Sequence, residues 1–349
     1  MESPTKIHGV NLTGWLTLES WITPELFADS GALTERDLAH SLGSERYKAL
    51  VRAHRTAFIT ESDFASIALR GFNAVRLPVP WYVFGDEGPN SGMYQGCLEQ
   101  VDNAMAWAEN AGLMVLLVFS VSPGSTVAQS DHATSGQEVV AHRPEAIKIT
   151  RELTHRYVGS DAFLGIELAD DPVAQRRQGL HLSEGIPIHL LRNYYRAVYS
   201  ALREAEGPNF LIVLPDAGAE NGWDKFLATH RDQNVWLDCH LYQYLDDLSV
   251  TASELDVRDL VRKSLKKLNR ARRSRLPVMV GKWSGALPYA DSVSTPEGRI
   301  ALERVYVSEQ LHAFRECPAW FFQTWKTEGK IAGWDARIAL SSFERRLLD

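Results

Sequence analysis

A single (β/α)8 barrel, the TIM-barrel form of the α/β class, is the fold this sequence predicts, and three observations predict it. Eight short apolar, β-branched runs recur along the 349 residues. Amphipathic helical patterns separate them. No Pro/Gly/Ser linker, low-complexity segment or internal repeat divides the chain, so residues 1–349 read as one domain. Nearly continuous apolar strands that alternate with helices belong to a parallel sheet covered on both faces. Eight such units in about this length close into a barrel. The rival is an open doubly wound sheet, but no GxGxxG or GxxxxGKS/T follows any strand.

In chain order, strands are expected at Ile7–Trp15, Asn73–Val79, Leu113–Ser120, Phe163–Asp170, Phe210–Asp216, Val235–Tyr242, Pro277–Ser284 and Ala319–Lys326. The long first connection, Leu16–Thr60, carries a helix start at Ser30–Leu33 and a helical stretch at Leu38–His54, and is expected to cap the barrel. Helical patterns follow at Glu61–Arg70, Leu98–Asn110 (Val101, Met105 and Ala108 on one face), Pro144–Tyr157, Ile188–Glu204, Asp256–Arg272, Pro296–Phe314 and Ala336–Leu347. Arg258–Arg275 carries nine Lys and Arg. Its apolar Leu260, Val261, Leu265 and Leu268 fall at helical spacing, so these charges form the solvated back of a barrel helix rather than a nucleic-acid stripe.

Composition narrows the function classes. A net charge of −7 disfavours nucleic acid or an anionic membrane as partner. No run of 18 apolar residues could span a bilayer. MESPTKIHGVNLTGW has no apolar run behind a basic stretch, so no signal peptide is expected unless a leader was removed. Cys97, Cys239 and Cys317 are odd in number and widely spaced, which argues for reduced thiols and a cytoplasmic setting. Ten Trp can fill a large core, and aromatics also line the apolar faces of sugar clefts. No HExxH, CxxC or clustered His/Cys spacing points to a metal, no cofactor motif is present, and no GxSxG elbow supports a hydrolase triad.

In barrel enzymes the working side chains sit at the C-terminal ends of the strands. Reading those ends in order gives Glu19, Arg76, Ser120, Asp170 and Asp171, Asp216, His240 and Tyr242, Lys282, then Trp325, Lys326 and Glu328. Taken singly, an Arg in VRLPV is usually a buried carboxylate partner, and a His in LDCHLY is more often a core residue than a ligand. Their convergence on one rim makes them candidates together.

The stretch GVNLTGWLTLESWITPELF (Gly9–Phe27) resembles the opening of the exo-β-1,3-glucanases of glycoside hydrolase family 5. The resemblance continues through FITESDFASIALRGFNAVRLPVPWYVF, AMAWAENAGLMVLL, SPGS (Ser122–Ser125), GIELADDP, NVWLDCHLYQ, VGKWSGAL and FFQTWKTEG, in order and over nearly the whole chain. It implies a retaining exo-acting β-glucanase fold, with acid/base and nucleophile at the ends of strands 4 and 7. By the same resemblance Arg76, His240, Tyr242 and Trp325 shape a pocket for the terminal glucose, Glu19 binds its hydroxyls, and Trp21 stands where the family often has Tyr. A carbohydrate, β-glucan-like or anionic, is therefore the expected partner.

The catalytic positions depart from the family pattern. Its LHGAPGS reads FSVSPGS here, so Ser120 replaces a pocket His; its Asn-Glu-Pro reads Asp170-Asp171-Pro172; and the nucleophilic Glu of its GEWS has become Lys282. A retaining glycosidase needs two carboxyl groups about 5–5.5 Å apart. Asp171 at the acid/base position is shorter by roughly 1–1.5 Å, and a misplacement of about 1 Å can cost a hundredfold. Lys282 cannot form a glycosyl ester, and its cation opposes the charge of an oxocarbenium-like transition state. Four readings of Lys282 stand open: a salt bridge to Asp171 or Asp170, part of a cationic pocket with Arg76 for an acidic or phosphorylated sugar, a Schiff-base nucleophile, or a bystander to inverting hydrolysis with Asp171 as acid. The expectation is a carbohydrate-binding pseudoenzyme; altered chemistry on an anionic sugar is the alternative.

Overall fold

A computed structural model describes residues 6–86, 93–121, 140–178, 181–219, 223, 226, 234–242, 254–287 and 295–343. Eight parallel strands close on themselves: β1 (Ile7–Asn11), β2 (Ala74–Pro80), β3 (Met114–Val121), β4 (Phe163–Glu167), β5 (Leu211–Pro215), β6 (Val235–Leu241), β7 (Val278–Trp283) and β8 (Ala319–Phe322). Each pairs with its sequence neighbours. Ile7 opposite Ala319 joins the last strand to the first, so the sheet has no edge. The expected (β/α)8 barrel is the observed one.

The strand interiors explain why the sheet closes. Inward positions Ile7, Ala74, Leu116, Leu211, Val213, Met279, Ala319 and Phe321 form one buried cluster that fills the barrel. Outward positions such as Val75, Leu117, Ile166, Ile212, Leu237, Val280 and Phe322 join the larger core beneath the helices. Those helices are α1 (Glu35–Leu42), α2 (Ser44–Ala57), α3 (Glu61–Leu69), α4 (Leu98–Ala111), α5 (Arg143–Tyr157), α6 (Ile188–Glu206), α7 (Glu254–Ala271), α8 (Pro296–Ala313) and the short α9 (Ala336–Ala339). On α6 the buried Leu191, Tyr194, Tyr195, Val198 and Leu202 recur at three- and four-residue spacing. Tyr194 and Tyr195 donate to the carbonyls of Leu168 and Pro215, tying this helix to the ends of β4 and β5 where the site begins.

Several expected boundaries are corrected. The first strand stops at Asn11 rather than Trp15, because Gly14 takes a φ of +74° and turns the chain. The fourth ends at Glu167, so Asp170 and Asp171 lie in the loop beyond it, Asp171 at a φ of 46°. The eighth ends at Phe322, before Trp325 and Lys326. The helix start expected at Ser30–Leu33 falls at Glu35, where the Thr34 hydroxyl accepts from the Asp37 amide. The last helix ends at Ala339, and residues 344–349 lie outside the described residues, as does Ser122–Ser125. Within the connection after β1, Leu18, Phe27, Leu38, Tyr47 and Val51 form a small core of their own.

Candidate active site

The site is built from the bottom of the barrel mouth upward, beginning with Arg76 on β2. Its side chain is fully buried, which a guanidinium tolerates only with its donors satisfied. Nε and Nη2 donate to the two oxygens of Glu167 on β4, at 2.8 and 2.7 Å; Nη1 reaches Asn11 on β1 at 2.8 Å; and Nη2 also reaches Asp170 at 2.8 Å. Burial alone would lower the pKa of Arg76, but Glu167 and then Asp170 outweigh it, so the guanidinium stays charged.

Above this floor Lys282 meets the two acids of the loop after β4. Lys282 Nζ lies 2.7 Å from Asp170 Oδ1 and also donates to Asp171 Oδ2. The other Asp171 oxygen contacts His240 Nδ1. His240 Nε2 lies 2.8 Å from Asp238 Oδ2 and 3.9 Å from Glu167. Burial lowers the pKa of Lys282, but Asp170 and Asp171 more than reverse this, so the ammonium is retained. Burial likewise opposes charge on His240, yet Asp171 and Asp238 push its pKa up to about 10. The Asp170 carboxyl is held below its usual range because Lys282 and Arg76 outweigh its burial. Side-chain exposure rises from 0% at Arg76 and Glu167 to 22% at Asp171, which places Asp171 nearest the mouth.

The upper wall is aromatic and acidic. Glu19 accepts from the Trp21 indole at 2.9 Å. Burial raises its pKa to about 7, against the pull of Lys282 and of that indole. Trp21 packs edge-on against Trp334, with centroids 5.2 Å apart, and Trp334 lies 5.6 Å from the Tyr242 ring. Burial, Asp171 and Asp170 keep the Tyr242 phenol un-ionised.

Thus the structure brings together Glu19, Trp21, Arg76, Asp170, Asp171, His240, Tyr242 and Lys282. It does not bring in all the expected residues. Trp325 is 2% exposed and gives its indole N–H to Asp63 at the start of α3, with Lys326 on the same carboxylate; this pair faces α3 rather than the acid–lysine cluster. Glu328 accepts from the Glu25 amide, and Asp216 from Gly218 and Cys239. The Ser120 hydroxyl is buried with no hydrogen-bond partner among the described residues.

Four members of the site were missed from sequence: Asn11, Glu167, Asp238 and Trp334. Glu167 and Asp238 had a signal, a carboxylate inside an otherwise apolar strand, which burial permits only with a partner. Trp334 had none. Oxygens of Glu167 and Asp170 and a His240 nitrogen come within 4.8 Å of one another, a donor set of metal-binding type. Arg76 and Lys282 already occupy those oxygens, so a cation entering there would have to displace two internal ones.

A family model described as cellulase (glycosyl hydrolase family 5) matches residues 44–304. The chain belongs to that family. A probable glucan 1,3-beta-glucosidase A of Aspergillus clavatus is 31% identical over 383 residues, spanning 96% of this chain and 86% of that protein. Its counterpart in Aspergillus fumigatus is 30% identical over 378 residues, with the same coverage of each chain. Among solved structures, a rutinosidase from Aspergillus niger has a TM-score of 0.71 at 18% identity and covers 99% of this chain and 98% of that one. PbGH5A of Prevotella bryantii, solved with a xyloglucan tetradecasaccharide, has a TM-score of 0.64 at 15% identity, covering 99% and 96%. At these identities the two structures speak to the fold alone. The family and the glucosidase ancestry come from the sequence matches.

Proposed function

We propose that this family 5 barrel binds a neutral β-glucan-like carbohydrate and does not hydrolyse it by the retaining mechanism. The observation that carries the reading is the Lys282 ammonium bonded to both Asp170 and Asp171. Retaining hydrolysis needs one carboxyl group that donates a proton and a second that attacks the anomeric carbon. Here Asp171 has one oxygen on Lys282 and the other on His240, so the acid/base position is held as a carboxylate between two cations. The nucleophile position carries a protonated amine. Glu19, Trp21, Tyr242 and Trp334 still offer aromatic faces and polar groups of the kind that hold a pyranose.

The same geometry weighs against the other readings of Lys282. Arg76 and Lys282 are neutralised by Glu167, Asp170 and Asp171, so little positive charge is left for an acidic or phosphorylated sugar. An amine kept protonated by two carboxylates is a poor Schiff-base nucleophile. A cytoplasmic setting belongs to the same proposal and rests on three buried free cysteines.

The test combines turnover with binding. Aryl β-glucosides and laminari-oligosaccharides should not be cleaved, while neutral β-1,3-gluco-oligosaccharides should raise the melting temperature. Hydrolysis at rates typical of the family would overturn the first half. Stabilisation by uronic acids or sugar phosphates alone would overturn the second and restore the anionic-sugar reading.

A further inference from the structure

Lys282 should not face the pocket at all. Along β7, Val280 packs outward into the core beneath the helices, and Met279 packs inward among the barrel-filling residues. Strict alternation then turns Gly281 inward and Lys282 outward. Both neighbouring strands show why this fails. Pairing with β6 passes from Cys239 opposite Val280 to His240 opposite Lys282, and pairing with β8 from Trp320 opposite Val280 to Phe322 opposite Trp283. Gly281 is the extra residue of a β-bulge, a device that re-aims the side chain after it and frees a backbone amide from the ladder.

Asp238 takes that amide. From β6, with its side chain fully buried, it accepts from Gly281 N–H through Oδ1 and contacts His240 Nε2 through Oδ2 at 2.8 Å. A Cβ on Gly281 would lie 1.9 Å from Asp238 Oδ2, so with the carboxylate in this place only glycine fits at the bulge. The Gly281 carbonyl is held as well, by Asn11 Nδ2 at 3.0 Å, and Asn11 in turn accepts from Arg76. His240 therefore has a carboxylate on each ring nitrogen, which satisfies both only if both nitrogens carry hydrogen. The charged groups facing it are Asp170, Asp171 and Glu167 from β4 and its loop, Asp216 from the end of β5, Asp238 from its own strand, and Lys282, which shares Asp170 and Asp171, from β7.

We propose that Asp238 is the positioning residue of this site: it pins the Gly281 bulge that turns Lys282 into the pocket, and it holds His240 as an imidazolium. Asp171 is then denied a proton from both sides, by Lys282 and by His240. The inference rests on the pocket described above, yet its test uses no sugar, so a failure of carbohydrate binding leaves it standing and its own failure leaves that reading untouched.

The experiment is 15N NMR of histidine-labelled full-length protein, with the His240 signals assigned by their loss in His240→Gln. In the unsubstituted protein His240 should give the imidazolium pattern at pH 8. Asp238→Asn keeps an acceptor for the Gly281 amide but turns an NH2 group toward Nε2. Followed as a pH titration, the His240 midpoint should then fall by roughly one to three pH units, and the form above it should be the neutral Nδ1–H tautomer. A neutral His240 in the unsubstituted protein, or an unchanged midpoint in Asp238→Asn, overturns the proposal. A second measurement tests the bulge. Gly281→Ala should lower the melting temperature, and adding Asp238→Ala to it should cost nothing beyond Asp238→Ala alone. Simple additivity would show that the carboxylate and the bulge are independent.

Discussion

Lys282 shows how one side chain can hold a buried cluster of acids together. Its ammonium is 5% exposed and bonded to two carboxylates, so removing the charge strands both acids in a buried place. Lys282→Met is expected to cost roughly 3–5 kcal/mol, the range for breaking a buried ion pair by deleting one partner. Urea unfolding read by far-UV circular dichroism would measure it, and a loss under about 1 kcal/mol would show that Arg76 and His240 suffice for Asp170 and Asp171. At this scale the sequence was informative about which residues converge, although Trp325, Lys326 and Glu328 make their contacts elsewhere. Asp170, Asp171, Lys282 and His240 could be named from their strand ends. Trp325 could not be placed, because the chain leaves β8 at Phe322 and carries the indole to Asp63.

At the scale of elements, two close approaches set what the strands can carry. Gly281 on β7 is one, and Gly165 is its counterpart on β4. A Cβ there would stand 2.0 Å from the Leu211 carbonyl oxygen, and since that atom is backbone it cannot move aside without breaking the pairing of β4 with β5. Gly165→Ala is expected to destabilise by about 3 kcal/mol, the upper end for overpacking, and to shift Asp170 and Asp171 just beyond. Thermal unfolding followed by circular dichroism checks the first consequence. An unchanged melting temperature would mean that the strands have slack. The eight strands and the main helices were legible because apolar period and turn residues act locally. Strand ends were not, since a bulge, a positive φ at Asp171 or a departure after Phe322 answers to neighbours distant in sequence.

For the whole molecule, the charges of the site translate into a dependence of stability on pH. Glu19 binds its proton more tightly folded, near pH 7 against a usual 4.5, so stability falls as pH rises across that interval. His240, raised from 6.5 to about 10, contributes fully below 6.5, and that contribution is lost as pH rises through 10. Asp170 acts the other way. Its lowered pKa contributes above 3.8 and is lost as the medium becomes more acid. The melting temperature should therefore be highest on the acid side of neutrality. Burial raises the Glu167 carboxyl as well, so Glu19→Gln should make the limb between pH 4.5 and 7 shallower without removing it, and His240→Gln should do the same above 6.5. A maximum at pH 8 or higher would contradict this assignment of charges.

The sequence by itself determined the barrel, its family resemblance, and the presence of Asp171 and Lys282 at the two strand ends where that resemblance implies catalytic carboxylates. These rest on local apolar period and on the chemical identity of side chains, which need no coordinates. Only the tertiary structure decided that Lys282 turns inward, that it bridges Asp170 and Asp171, and that Asp238 and Glu167 complete the cluster. The physical reason is that a strand's facing is settled by its register against both neighbours. One extra residue at Gly281 reverses what alternation along β7 alone would dictate.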